Sequence, residues 1–139
     1  MTDYLAPPPA ADSDMSGMGS LYLAHIGDAV YELMTRTYLC SRGSVSAGTL
    51  HRETVALVCA KAQAKGAETV LEQLTDEEAA VFKRGRNARV NGVPKGASHA
   101  QYHTATALEA LFGWLYLKAR HRRLNELFDI IVKELDNAA

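Results

Sequence analysis

The feature that most constrains the fold of this chain is a largely apolar stretch from Leu21 to Leu39. Apolar side chains recur in it at the i, i+4, i+7 spacing of an amphipathic helix. This stripe, which predicts a core-facing surface, consists of Tyr22, Ile26, Val30, Leu33 and Thr37. The opposite side is also mostly apolar and holds Leu21, Ala24, Tyr31 and Thr35. A helix that is apolar nearly all round is expected to have neighbours on most sides.

One acid, Asp28, lies on the second apolar side of this helix. Burial of a carboxylate is unfavourable unless the group is hydrogen-bonded, protonated or bound to a metal ion. Gly27 stands beside it, and a glycine inside a helix costs roughly 1 kcal/mol. The glycine is best explained by the close approach of another backbone or a ligand. We therefore expect a partner to meet Asp28.

Composition limits the classes of protein that remain. With 139 residues and 47% hydrophobic residues, the chain can form one domain, which we assign to residues 20–139. Residues 1–19 are rich in Pro, Ala, Ser and Gly and predict a flexible tail. A formal net charge of -1 excludes a globally basic nucleic-acid binder. The sequence shows no membrane span and no signal peptide, which predicts a cytoplasmic protein.

Cys40 and Cys59 form no CxxC pair and stand in no Cys/His cluster, so neither a disulfide framework nor a zinc site is expected. We predict that both are reduced and buried.

The rest of the chain also has helical patterns, and no period-2 run of β-branched residues competes with them. The sequence therefore predicts an all-α fold. Thr75 and Glu78 have the spacing of a capping box, and Gly66 is expected to end a helix. The further helices are predicted at residues 46–65, at 68–74, from 76 into the basic segment that follows, from 98 or 99 to about 120, and at 122–135.

A second acid, Glu109, lies on an apolar helix with the small residue Gly113 on the same face. If the two apolar helices cross at their glycines, Asp28 and Glu109 meet. Two adjacent carboxylates repel each other, and either a shared proton or a divalent cation relieves the repulsion. Oxygen ligands suit Mg²⁺, with Mn²⁺ as a second possibility. The alternative is that each acid pairs with an arginine or a hydroxyl group and only stabilises the bundle.

A basic segment without acids follows the fourth predicted helix. Its candidate RNA-binding residues are Lys83, Arg84, Arg86, Asn87, Arg89 and Lys95. Such residues favour contacts with a phosphate backbone, although a run of charge is also typical of a solvated face. The arginines could instead pair with the acidic stretch from Glu68 to Glu78. In that case the RNA-binding surface would move to a second basic group, Lys118, Arg120, Arg122 and Arg123.

Three blocks of sequence resemble a known family. HIGDAVYE at residues 25–32 and ATALEALFGWLYL at 105–117 resemble the catalytic helices of ribonuclease III. With KRGRNA at 83–88 and PK at 94–95, the set is most similar to the Mini-III ribonucleases, which lack a separate double-stranded-RNA-binding domain. The resemblance covers residues 20–131. It implies that Asp28 is the essential aspartate and Glu109 the metal-binding glutamate.

The chain departs from the larger ribonuclease III enzymes where they carry further acids. Leu21, Ala24 and Thr106 stand at those positions. Fewer protein ligands would then hold each metal ion, and water or RNA phosphate would fill more of its coordination shell.

The resemblance implies a homodimeric, metal-dependent endoribonuclease, a hydrolase that cuts phosphodiester bonds in double-stranded RNA. It also implies that the protein binds ribosomal RNA and matures the large-subunit precursor during ribosome biogenesis. The alternative is a non-catalytic helical protein that binds RNA or the ribosome. The presence of both acids argues against this alternative, because a protein that only binds has no need of them.

Overall fold

The computed structural model describes residues 2–15, 17–43, 46–88 and 97–137. All regular structure in these ranges is helical, which confirms the all-α prediction. The helices are α1 (Asp12–Met15), α2 (Ser20–Ser41), α3 (Ala47–Val58), α4 (Ala60–Val70), α5 (Asp76–Arg86), α6 (His99–Leu117) and α7 (His121–Asn137), with a 3₁₀ turn at Leu71–Gln73.

Helix α6 is the centre of the bundle, and α2, α4, α5 and α7 all pack against it. Its sequence explains this position, because residues 105–108 and 110–115 are small or apolar apart from Thr106, and all of them are buried. The α6 helix begins with the capping box of Ser98 and Gln101, and α5 begins with the predicted box of Thr75 and Glu78.

Helix α2 buries one of its two apolar sides and leaves much of the other exposed. The buried side consists of Leu23, Ala24, Gly27, Tyr31, Thr35 and Leu39. Tyr31 packs against the rings of Phe112 and Phe128, with centroid separations of 5.1 and 5.5 Å. The prediction that the other stripe faces the core is wrong for Tyr22 and Leu33, which are 58% and 61% exposed, whereas Val30 is partly buried and packs against the core. Periodicity finds apolar faces, but it does not tell which of two faces packs within the same chain.

The helix predicted at residues 46–65 is divided at Cys59, whose extended backbone ends α3 and begins α4. The break lets α3 pack against α2 while α4 packs against α6 and α7. Gly66 does not end a helix as predicted but lies within α4. A Cβ atom there would approach Cγ2 of Ile131 to 2.5 Å, so the glycine permits contact with α7. The predicted helix at 68–74 is the end of α4 and the 3₁₀ turn.

The segment before α2 contacts the bundle. Met15 belongs to the core, the Ala10 amide donates to the Leu117 carbonyl at 2.8 Å, and Asp12 pairs with Lys118. These contacts hold part of the segment predicted to be flexible. The division into a tail, residues 1–19, and a domain, residues 20–139, stays a prediction.

Two further expectations have outcomes in the structure. Cys40 and Cys59 are free thiols, as predicted, but both are exposed, so the prediction of burial is wrong. Within the described ranges, no helix combines the length and apolarity needed to cross a membrane.

Candidate metal centre and RNA-binding surface

The candidate site forms where α2 and α6 cross with their backbones in contact. A Cβ atom at Gly27 would lie 1.6 Å from the Glu109 carbonyl oxygen, and one at Gly113 would lie 2.0 Å from the Leu23 carbonyl oxygen. No side chain fits at either point, so the crossing requires both glycines. The close approach predicted for these two helices is confirmed.

The crossing brings together the two acids that were expected to meet there. Asp28 is next to Gly27, and its carboxyl group lies within hydrogen-bonding reach of Glu109. Burial raises the pKa of Glu109, and the hydrogen bond to Asp28 and its charge raise it further, from an ordinary 4.5 to about 9. Without a cation, Glu109 is therefore protonated at neutral pH and shares its proton with Asp28.

Asp28 itself is exposed, which corrects the prediction that it lies on a buried face. The step of about 100° per helical residue carries its side chain from the buried position of Gly27 to the rim of the crossing. Glu109 is partly buried beneath it. The pair is thus open on one side, as a site that receives a large polar substrate must be.

The donor atoms suit a hard divalent cation. The charge that raises the pKa of Glu109 is that of Asp28, and no lysine or arginine among the described residues shifts it. The alternative in which the acids pair with arginine is therefore not observed. Two carboxylates without a cationic partner are an oxygen-only ligand set of the kind that Mg²⁺ or Mn²⁺ accepts, with water completing the shell.

Few protein side chains surround the acid pair as possible metal ligands. Within the described ranges, no group of three or more His, Cys, Asp or Glu side chains could hold a metal ion. Ala24 is buried at the crossing, and the Thr106 hydroxyl donates to the Tyr102 carbonyl at 3.0 Å within α6.

Sequence reasoning missed one polar side chain at this site, Gln63 of α4. It is 2% exposed, and it approaches Glu109 closely enough to lower the pKa of that group. A glutamine in a segment of alanines and lysines carries no signal of such a position. Glu32, one turn after Asp28, pairs with Arg36 at 2.8 Å and so forms an ion pair on the surface of α2.

The first basic group lies on the last turn of α5. Lys83, Arg84, Arg86 and Asn87 are exposed, and the three cations form no ion pair with a described residue. A Cβ atom at Gly85, in their midst, would lie 2.9 Å from Cα of Ala107 and 3.1 Å from Cβ of Ala110. The turn therefore packs against the part of α6 that carries Glu109. Arg89 and Lys95 lie outside the described residues.

The second basic group is occupied by ion pairs. Lys118 pairs with Asp12, Arg120 with Glu77, Arg122 with Glu126, and Arg123 with Glu78 and Glu126. The acidic stretch thus neutralises Arg120 and Arg123, and it forms no ion pair with the arginines of α5 in the part of the chain that the structure describes.

Comparisons with known proteins identify the family of the chain. A ribonuclease III domain model matches residues 21–120. Mini-ribonuclease 3 of Enterococcus faecalis is 40% identical over 124 residues, which cover 88% of this chain and 94% of the relative. The chain belongs to the Mini-ribonuclease 3 branch of the ribonuclease III family. Mini-ribonuclease 3 of Symbiobacterium thermophilum is 44% identical over 107 residues, 77% of this chain and 82% of that protein.

A solved structure supports the family fold. The crystal structure of a protein from Fusobacterium nucleatum superposes with a TM-score of 0.80 at 30% sequence identity, covering 87% of this chain and 97% of that one. Its agreement in fold, together with the relatives, confirms that the chain has the helical ribonuclease III architecture predicted from its sequence.

Proposed function

We propose that this family member is a Mg²⁺-dependent endoribonuclease that hydrolyses phosphodiester bonds in double-stranded RNA. The observation that carries the proposal is the contact between Asp28 and Glu109 at a crossing that only glycine permits. A structural role would favour a cationic partner for each acid. The pair instead places two acidic groups together at an opening to solvent. This arrangement suits a divalent cation, which we propose to be Mg²⁺, with Mn²⁺ as a second possibility.

Asp28 and Glu109 would hold the cation, and Glu109 must first release the proton that it shares with Asp28. When bound, Mg²⁺ polarises a phosphoryl oxygen and lowers the pKa of water at the scissile bond. The rigid crossing of α2 and α6 keeps the two carboxyl groups together, so little reorganisation is needed when substrate arrives. The exposed position of Asp28 leaves room for an RNA backbone.

The basic turn of α5 supplies a surface for that backbone. A-form RNA presents its phosphates and 2′-hydroxyl groups, whereas its deep, narrow major groove hides most sequence information. Recognition through Lys83, Arg84, Arg86 and Asn87 would therefore depend on shape and charge. Arg89 and Lys95 are proposed to extend this surface on sequence grounds. From the family resemblance, we infer that the RNA is the large-subunit ribosomal RNA precursor in the cytoplasm.

We also propose a homodimer in which each subunit cuts one strand. The α2 stripe that includes Tyr22 and Leu33 is apolar and exposed, and Leu33 also lines a groove of about 650 Å³ between α2 and α7. A two-fold axis would match the pseudo-symmetry of an RNA duplex. Light scattering at micromolar concentration tests this point, and a monomer mass would contradict it.

The experiment that tests the proposed activity is incubation of the purified chain with a long RNA duplex, with and without Mg²⁺. We expect internal cleavage with Mg²⁺ and intact RNA with a chelator. A parallel gel-shift assay measures binding. A chain that binds the duplex and leaves it intact with Mg²⁺ would instead be a non-catalytic RNA-binding protein.

A further inference from the structure

Gln63 is a buried polar residue whose side-chain donor has no hydrogen-bond partner in the described part of the bundle. It lies in α4, which packs against α6, and it is 2% exposed. Its Nε2 atom is fully buried and makes no hydrogen bond with any described residue. Buried polar groups nearly always have a partner, so an orphaned donor requires an explanation. A side chain retained only for packing would be apolar here, since the other buried side chains of α4 are those of Ala64, Ala67 and Val70.

The surroundings of the amide provide this explanation. Three helices each contribute one polar group to the crossing: Asp28 from α2, Gln63 from α4 and Glu109 from α6. Burial and Asp28 raise the pKa of Glu109, whereas Gln63 is the neighbour that lowers it. The buried amide of Gln63 thus lies beside the carboxyl group that would hold the cation, and its unpartnered donor is available to orient that group.

On the basis of the proposed function, we propose that Gln63 is a positioning residue for the metal centre, whose Nε2 donates to the Glu109 carboxylate in the metal-bound protein and orients it toward the divalent cation. The Gln63 donor has no hydrogen bond to a residue that the structure describes, and the Glu109 carboxyl group is the polar group that it approaches. A cation held by Asp28 and Glu109 would fix the Glu109 carboxyl group in place and give this donor an acceptor. The partners that orient metal ligands typically affect metal affinity or activity by about 10- to 100-fold.

The test compares metal binding and stability in Gln63→Met, which keeps the unbranched length of the side chain and removes the donor. Calorimetric titration of the full chain with Mn²⁺ gives the dissociation constant, and thermal melting with a chelator gives the stability of the metal-free protein. We expect the Mn²⁺ dissociation constant to rise by at least about tenfold. The metal-free melting temperature should stay the same or rise, because the replacement removes a buried donor without a partner.

The matched control is Thr54→Val in α3. Thr54 is also buried, but its hydroxyl donates to the Leu50 carbonyl at 2.8 Å. Its replacement should lower the melting temperature and leave Mn²⁺ affinity unchanged. Gln63→Leu provides a second removal of the donor if the Met variant does not fold.

A lower melting temperature with unchanged Mn²⁺ affinity in both Gln63 variants would overturn the inference, since Gln63 would then only stabilise the fold. Wild-type protein that binds Mn²⁺ in this experiment and cuts duplex RNA in a parallel cleavage assay would leave the proposed function standing. Wild-type protein that does not bind Mn²⁺ would overturn the proposed function and this inference together.

Discussion

Two glutamates with little solvent access, Glu78 in α5 and Glu109 in α6, differ in the charge of their neighbours. Glu78 is 2% exposed and accepts hydrogen bonds from Nε and Nη2 of Arg123, each at 2.9 Å, and from the Thr75 amide at 2.9 Å. Burial acts to raise the pKa of Glu78, but these bonds outweigh it and the pKa is lowered. Glu109 faces Asp28, and its pKa is raised to about 9.

The difference shows that burial alone does not identify a functional acid. A glutamate paired with a guanidinium group is satisfied by the fold, and it has no affinity left for a metal ion. A glutamate beside another acid is satisfied only by a proton or a cation. The sign of the pKa shift, with its physical cause, separates the structural acid from the candidate catalytic one.

If the acid pair at Glu109 is catalytic and the ion pair at Glu78 is structural, the largest expected effect is the loss of RNA cleavage in Asp28→Asn. The amide keeps the shape of the side chain and removes the charge that holds the cation, so cleavage should fall by at least about 10²-fold while the fold remains. A cleavage assay, circular dichroism and a gel shift on one sample measure the three properties.

The matched control is Glu32→Gln, which removes an acid one turn away that pairs with Arg36. It should cleave like the wild type. Full activity in Asp28→Asn would sink the assignment of this residue.

The next effect is a loss of stability in Glu78→Gln, with cleavage retained in the folded protein. Hydrogen bonds to charged groups contribute about 1.5–3 kcal/mol, and this range is the expected decrease in the free energy of unfolding. Because the pKa of Glu78 is lowered in the folded state, its contribution is present above the pKa of the unfolded chain and is lost as the pH falls. Denaturant unfolding at neutral and acidic pH checks both statements, and equal stability of variant and wild type at neutral pH would contradict them.

Glu109→Gln should have the opposite effect on the metal-free protein. The unfolded chain loses the Glu109 proton near pH 4.5, whereas the folded protein keeps it to about 9. The stability that Glu109 contributes is therefore full at acidic pH and declines as the pH rises through this window. In the presence of a chelator, the melting temperature of the variant should rise relative to that of the wild type from about pH 5 to about pH 9. A constant difference in melting temperature would show that Glu109 does not titrate in this window.

The smallest effect concerns the unpaired cations of α5. Arg84→Ala and Arg86→Ala should each weaken binding to many duplexes alike, and each lost phosphate contact should reduce the salt slope by about 0.7 to 0.9. The control is Arg122→Ala, an exposed arginine paired with Glu126 at 3.5 Å. A large decrease in melting temperature with unchanged RNA affinity would show that the α5 arginines are structural and would favour the second basic group.

The sequence predicts the crossing because its signals are local. Gly27 and Gly113 are costly within apolar helices unless a backbone approaches them, and each lies near an acid. The capping box of Thr75 and Glu78 is equally local. The break at Cys59 has no signal in the sequence, because neither glycine nor proline marks it. The prediction for Gly66 is wrong because a glycine within a helix can permit a close contact with another helix and need not end its own.

The partners of the polar groups are a matter of tertiary structure, which no short spacing encodes. Arg123 binds Glu78 across 45 positions of sequence. The second basic group, which was the alternative RNA-binding surface, is therefore paired with acids. Gln63 reaches Glu109 from a third helix. The exposed part of the α2 stripe resembles a core stripe in the sequence, because periodicity reports apolar side chains and not the element that packs on them.

The most direct test of the central claim is calorimetric titration with Mn²⁺ near pH 7 in two buffers of different ionisation enthalpy. Because Glu109 carries a proton in the metal-free protein, binding at Asp28 and Glu109 should release about one proton per ion. Wild type and Glu32→Gln should both show this release, and Glu109→Gln should bind weakly and release none. Binding of equal affinity in Glu109→Gln, or binding by the wild type without proton release, would contradict the account.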